Sequence, residues 1–279
     1  DRALLFDCLV AGNSAGHGGG GVHGGALVGC IVSNNATGGI GGGVLGWSAR
    51  NPCRISGCLL VGNRAAREGG AAGRHTVLDG CRLAGNTSGH RGGAADGAVL
   101  TDCQVLDNRC LEGDGWGGGA CGSALAGCLV AGNAARVGGG FYGGSGSNCL
   151  VVGNEAVDAG GVYGAPLNAC TVAGNAATHV GGGLAFYDEK PLLVADSIVY
   201  GNQAPVDPNW RGRGLVFRRS CTWPMPPEAG EDTVTNAPLF LAAGSGYGTN
   251  HVPGDYRLDP RSPCAHAGAR LAGPPLDFP

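Results

Sequence analysis

The sequence is poor in charge: Asp, Glu, Lys and Arg make up 14% of its 279 residues, and Lys190 is the single lysine among 18 basic residues. Net charge is −3 and no basic cluster occurs, so the chain lacks the electrostatic footprint that a nucleic-acid partner requires. No apolar run approaches the ~18 residues of a membrane helix, so no membrane span is expected. Aromatics are scarce at 6%, yet hydrophobics reach 43%, which separates the chain from charge-rich disordered tails and from coiled coils. There is also no C-x-x-C pair, although Cys occurs 13 times. Without metal-ligand spacing, that many cysteines point to an exported protein in an oxidising compartment, and the odd count leaves at least one thiol without an intrachain partner. The chain begins at Asp1 with no charged-then-apolar leader, which reads as a processed or excised segment.

What the sequence has in excess is glycine, 58 residues without the strict every-third period of collagen. Its placement follows an internal repeat. The pattern C-x-[VL]-x-[GND]-N starts at Cys8, Cys30, Cys58, Cys81, Cys103, Cys128, Cys149 and Cys170, and a ninth copy has Ser197 in the Cys place. Successive spacings are 22, 28, 23, 22, 25, 21, 21 and 27 residues. That period is short for an α/β unit and fits one coil of a β-solenoid.

Each column of the repeat has a physical task. Three residues before the Cys stand Leu5, Leu27, Ile55, Leu78, Leu100, Leu125, Gly146, Leu167 and Val194; two residues after it stand only Val or Leu. Cys and the residue two after it share one face at period two, so both are expected to point inward within a strand. Five residues after the Cys comes Asn in all nine copies: Asn13, Asn35, Asn63, Asn86, Asn108, Asn133, Asn154, Asn175 and Asn202. Amides at one corner of successive coils, about 4.8 Å apart, can bond to one another and satisfy turn backbone, and Asn tolerates left-handed geometry there. The sequons at Asn35 and Asn86 belong to this inward column, so a buried ladder is expected rather than a glycan. A small-residue column (Ala15, Thr37, Ala65, Ser88) fits a tight inner corner, and Gly runs such as Gly18–Gly21 and Gly138–Gly140 mark a further bend.

These features resemble the right-handed parallel β-helix proteins of the pectin-lyase-like class. More narrowly, C-x-V-x-G-N-x-A alternating with G-G-V-Y (Gly160–Tyr163) or G-G-F-Y (Gly139–Tyr142) is similar to the repeats of bacterial surface proteins of the polymorphic outer-membrane type. The stretch around Pro238–Phe240, Asp255–Leu258 and Ser262–Cys264 is similar to the closing segment of exported bacterial β-helix proteins. The resemblance implies an all-β, right-handed parallel β-helix of about nine to eleven coils with an irregular C-terminal closing segment, in a bacterial protein outside the cell or on its surface. Repeats are expected over residues 1–205. Residues 206–279 are expected to hold an irregular excursion, the last coil or coils, a cap over the C-terminal end, and an extended tail with Pro274, Pro275 and Pro279.

Enzymes on this fold place charged groups together on the outward face of adjacent coils. Asp7, Asp102 and Asp196, each just before the repeat Cys position, lie four coils apart, about 19 Å, too far for an acid/base pair. The nearest approach to a catalytic group is His75, Asp79, Asp96 and Asp102, with Arg74 beside them; ordinary solvated surface is the competing reading, and no catalytic residue is assigned. His17, His90 and His179 share a loop column three or more coils apart, so neither a metal nor another cofactor is expected. Tyr142, Tyr163 and Tyr187 either form an outward stripe that stacks on sugar or docks a partner, or are scattered surface while Phe141 and Phe186 fill the core.

The repeat cysteines read either as small apolar residues or as neighbours close enough for some cross-links. Better disulfide candidates lie off the column: Cys110 with Cys121 brackets an insertion, and Cys221 with Cys264 would pin the excursion to the closing segment. At the N-terminal end, Leu4, Leu5 and Phe6 read as an open strand edge, on which another copy is expected to stack its C-terminal segment or its PLDFP tail end to end, giving a homo-oligomer or filament; the alternative is that a preceding domain, cut away, covers this edge. Taken together, the sequence points to a non-enzymatic structural or adhesive protein in contact with a cell surface or polysaccharide. The alternative is a polysaccharide lyase or hydrolase, or a carbohydrate-binding adhesin, on the same fold.

Overall fold

The computed structural model describes residues 3–227 and 232–265. Two ten-stranded parallel sheets run along the chain. Wall A begins at Leu4–Phe6 and ends at Leu215–Arg218; wall B begins at Leu9–Ala11 and ends at Cys221–Thr222. Shorter sheets close each coil: wall C stacks Ser14–Ala15 through Arg109–Cys110, and wall D stacks Ala95–Asp96 through Trp210–Gly212. The molecule is a parallel β-solenoid of about ten coils, with no α-helix among the described residues. Register follows the repeat, so like stacks on like: Leu5 on Leu27, Leu27 on Ile55, Leu78 on Leu100, and Val10 on Val32.

Corners rather than strands explain the glycine. The residue before each repeat Cys has positive φ in every coil, from Asp7 and Gly29 to Asp196 and Arg219, and so does the residue before each ladder Asn, as at Gly85 and Asp107. The left-handed residue is therefore the one preceding the Asn, not the Asn itself, because the Asn must hold its amide inward. At the bend before wall D, Gly92 takes φ +58, and a Cβ on the following Gly93 would collide with the Gly118 carbonyl of the next coil. The small column of Ala15, Thr37, Ala65 and Ser88 is a short paired sheet, wall C, and not a bare bend.

Each left-handed corner is followed by a side chain that bonds along the stack. In the Asn column, backbone N–H and Nδ2 of one Asn both donate to Oδ1 of the next at 2.8–3.1 Å, from Asn13 through Asn202. Nδ2 also donates to a core carbonyl of the preceding coil, as Asn108 does to Leu83 at 3.0 Å. Asn35 and Asn86 are buried in this ladder, as their place in the inward column implied. Asn209, seven residues beyond Asn202, reaches in from the wall D side, accepts both Asn202 donors, and donates to the Trp223 carbonyl. It ends the ladder with no orphan amide.

The cysteines form a second ladder at the A/B corner. They sit just before wall B rather than within a strand, and they are not simply apolar filler. The Cys30 N–H donates to Cys58 Sγ at 3.2 Å, and the Cys58 N–H donates to Cys81 Sγ at 3.4 Å. Thiols donate in turn to the carbonyl two residues earlier, as Cys58 does to Ser56 at 3.3 Å. Ser197 and Ser220 continue the column with the same bonds. All thirteen cysteines are free thiols. The expected disulfides are therefore not formed: Cys110 lies in wall C and Cys121 in wall D, while the Cys221 thiol beside Cys264 donates to the Asn236 carbonyl at 3.2 Å. A hydrogen-bonded thiol column does not need an oxidising compartment, so the cysteine count loses its force as a sign of export.

The core is a stack of Leu, Val and Ile layers with one exchange. Where Gly146 replaces the usual Leu, the ring of Phe141 from wall D fills the space, and Phe141 is fully buried. At the first coil, Leu4, Phe6 and Leu9 are 62%, 59% and 68% exposed, while Leu5 packs partly on the core.

Two differences from the sequence reading concern the C-terminal part. Residues 210–222 form a regular tenth coil, paired with Leu184–Phe186, Leu192–Ala195 and Ile198–Val199, although they lack the repeat signature. Leu215, Phe217 and Ser220 keep the inward pattern that the signature search did not weigh. After Val234, which pairs on Cys221, the described segment lies against the last coil at Asn236, whose carbonyl accepts from the Cys221 thiol, and then turns away. Its hairpin of Phe240–Ala242 and Asp255–Leu258 runs back along the outside of wall B, where Phe240 and Tyr256 cover Ala131, Val152 and Ala173. Gly153 makes this docking feasible, since a Cβ there would collide with the His251 ring. The tail AGPPLDFP, including PLDFP, lies outside the described residues.

Two measurements test the ladders. Asn108→Ala orphans the Asn86 N–H and the Leu83 carbonyl, and urea unfolding is expected to show a loss of about 2–5 kcal/mol, well above that of the partly exposed Asn13→Ala. Cys58→Ser, which keeps an acceptor for the Cys30 N–H, is expected to stay near wild type while Cys58→Ala loses about 1–3 kcal/mol. Equal losses for the two would mean the column is apolar filler.

Candidate functional site

The outward residues flanking the Gly bend form two neighbouring columns. The residue before the bend reads Glu68, Arg91, Trp116, Val137 and Asp158 in successive coils. The second residue of wall D reads Asp96, Cys121, Tyr142 and Tyr163, and then Ala185 and Arg211. Parallel in-register stacking at about 4.8 Å forces these side chains into contact along the axis.

At one end lies a charged cluster. Arg74 donates to Glu68 at 2.6 Å and to Asp96 at 3.3 Å. Asp96 is 4% and Glu68 8% exposed, so the half-exposed guanidinium is what keeps two carboxylates in a dry corner. Burial, and then the Glu68 charge, push the Asp96 carboxyl above the usual aspartate range, against the pull of Arg74 and Arg91. Burial beside Asp96 also holds the Cys121 thiol protonated, at about 12.

From there the row becomes aromatic. The Arg91 guanidinium lies 4.9 Å over the Trp116 ring. Trp116 stacks on Tyr142 at 5.2 Å and 13°, and Tyr142 stacks on Tyr163 at 4.8 Å and 7°. Tyr187 departs from the series: its centroid is 6.3 Å from that of Tyr163 and its plane is tilted by 44°.

The structure thus gathers Tyr142, Tyr163 and Tyr187 into one stripe, but the first two spend their faces on ring neighbours and offer mainly edges and hydroxyls to solvent. Phe141 fills the core and Phe186 packs partly against it. The runner-up catalytic group is not brought together. Asp96 faces Arg74 on wall D, whereas Asp79 ends the strand Thr76–Asp79 on wall A. His75 and Asp102 are left-handed corner residues, with φ of 59° and 50°. His90 and His179 pair separately with Glu112 and Asp158. Among the described residues, no three or more His, Cys, Asp or Glu side chains are grouped to hold a metal ion.

No protein-family model, curated protein or solved structure matches this chain. The likeness to pectin-lyase-like and polymorphic outer-membrane repeats therefore stands on the residues alone, and the site has to be read from its own geometry. Glu68, Arg91 and Trp116 are the members of the row that sequence reading missed. The signal was present, since each is the residue immediately before a Gly-Gly pair, as in E-G-G, R-G-G and W-G-G.

Asp96 gives the site a pH signature. Its folded state binds the proton more tightly than the unfolded chain does, so stability falls as pH rises from about 3.8 through the raised folded value and stays lower above it. Asp96→Asn is expected to remove that fall, seen as a urea midpoint that moves in the variant's favour relative to wild type as pH rises from 3 to 7. An unchanged profile would place the titration elsewhere.

Proposed function

We propose that this chain is a non-enzymatic structural or adhesive β-solenoid that acts outside the cell or on a bacterial cell surface. The observation that carries the reading is the continuity of the two polar ladders. Along the ladders, the Asn amides and the thiols and hydroxyls of the repeat column are spent on backbone groups of their own or the neighbouring coil and on the next ladder amide. The one buried carboxylate pair is held by Arg74. Such a stack is suited to span distance and present a regular outer surface. The location rests on the resemblance to exported repeat proteins. The Leu4–Phe6 and Leu9–Ala11 edges are the surfaces on which a further coil, from this chain or another copy, would pair.

The runner-up, a polysaccharide lyase or hydrolase, requires turnover. Incubation with acidic and neutral polysaccharides, followed by a reducing-end or unsaturated-product assay, is expected to give none. Turnover that is lost in Asp102→Ala or Asp96→Asn would replace the structural reading with the enzymatic one. Electron microscopy of the native material is expected to show filaments or an ordered array where the solenoid is structural, and dispersed particles that coat a surface where it is adhesive.

A further inference from the structure

We propose that the groove where the aromatic row loses register, between Tyr163 and Tyr187, binds a pyranose chain that carries amino groups. This rests on the adhesive form of the reading above and names its ligand. The groove has a volume of about 500 Å³ and is lined by Tyr163, Gly164, Phe186, Tyr187, Asp188 and Glu189, with Tyr142 behind them.

A local insertion builds it. Between wall D and wall A the chain spends three residues from Tyr163 to Leu167 in one coil and eight between their register partners Ala185 and Val194 in the next, an insertion of five. Ala185 takes the stacking place on Tyr163, and Tyr187 reaches over from two residues further on. That offset tilts its ring by 44° and leaves it 52% exposed, whereas the rings before it lie nearly parallel. Arg211, ion-paired with Asp207, also bonds to Tyr187 and fixes the tilt. Gly164 adds no side chain to the groove floor, where its nearest neighbour would be the Phe186 ring.

The chemistry follows from one free ring face and an acidic rim. The apolar C–H face of a pyranose stacks on Tyr187, and its equatorial hydroxyls donate to the Asp188 and Glu189 carboxylates. Asp158 adds negative charge beside Tyr163, and burial keeps the Tyr163 phenol protonated as a donor. Lys190 is the one cation on the loop, and its backbone N–H is bonded to Asp188. The balance favours a ligand with ammonium groups and repels uronates. An isolated lysine or arginine side chain fits less well. Such a side chain would use one ring face, as Arg91 does on Trp116, and a carboxylate, whereas a pyranose also lays a broad C–H face on Tyr187 and brings several hydroxyls to the rim. The groove is a platform, not a cage.

Isothermal titration of the full chain with oligomers of glucosamine, N-acetylglucosamine, galacturonic acid and lysine tests this. Glucosamine oligomers are expected to bind, N-acetylglucosamine oligomers several-fold more weakly, and the other two not measurably. Tyr187→Ala, and separately the Asp188→Asn/Glu189→Gln pair, are expected to weaken glucosamine binding about tenfold or more, with Tyr200→Ala on wall B as the unaffected control and thermal melting to confirm folding. No binding by the glucosamine oligomer, equal affinity for the lysine or galacturonate oligomer, or full binding by Tyr187→Ala overturns the proposal. If Tyr187→Ala still coats cells as wild type does, the groove is refuted while adhesion stands. If wild type binds glucosamine yet coats no cell surface, the groove stands and the adhesive role falls.

Discussion

The structure depends on satisfying backbone N–H groups at corners that close every twenty-odd residues. Strand groups pair automatically with the coils on either side, but at a left-handed corner the chain direction changes and the next N–H has no carbonyl in register. The solenoid meets this twice per coil with one device, a left-handed residue followed by a side chain whose acceptor receives the N–H of the preceding coil. At one corner the acceptor is an amide; at the other it is a thiol or hydroxyl. An orphaned buried N–H costs about 1–3 kcal/mol, so ten coils cannot leave that choice to chance. The ladder also explains why Asn209 is recruited from outside the column: the last amide, Asn202, needs an acceptor as much as the first eight do.

This device made the fold legible. Asn at a fixed offset nine times, with Leu or Val layers around it, has no equally good explanation other than stacked coils, and residues 1–205 were read on that basis. The meaning of the cysteines was harder to read, because Cys is both a small hydrophobe and a crosslinker. Only the coordinates show Sγ receiving a backbone N–H, although Ser197 in the same column was a hint that a polar acceptor was wanted. The tenth coil was hidden for a related reason: it carries Ser220 in the Cys place and draws its last amide acceptor from Asn209. Docking of Phe240 and Tyr256 on wall B could not be read at all, since which solenoid face a returning segment covers depends on three-dimensional proximity to Gly153 and Ala173.

The outer face obeys the same rule with different groups. Parallel register places residue on residue at the coil spacing, so any side chain with a stacking surface finds its neighbour. Arg91, Trp116, Tyr142 and Tyr163 form a continuous row in this way, and Glu68 and Asp96 meet across Arg74. The sequence named the tyrosines, Asp96 and Arg74 but not Glu68, Arg91 or Trp116, because a column is recognised by offset from the Gly bend rather than from the Cys, and insertions vary the distance between the two.

A perfectly regular row is chemically self-satisfied: its rings stack on each other and its charges pair with each other, so it offers a ligand little beyond edges. Capacity for recognition appears where the repeat is broken. Five extra residues before the paired stretch of wall A in the ninth coil are enough to move Tyr187 out of line, expose one ring face, and set Asp188 and Glu189 beside it. The ladders inside tolerate such an insertion because the loop lies outside the corners they secure, and wall A resumes at Leu192 in pairing with Leu215. The division of labour follows from the physics of the stack: uniformity is required where backbone must be satisfied, and variation is free where the chain merely crosses from one wall to the next.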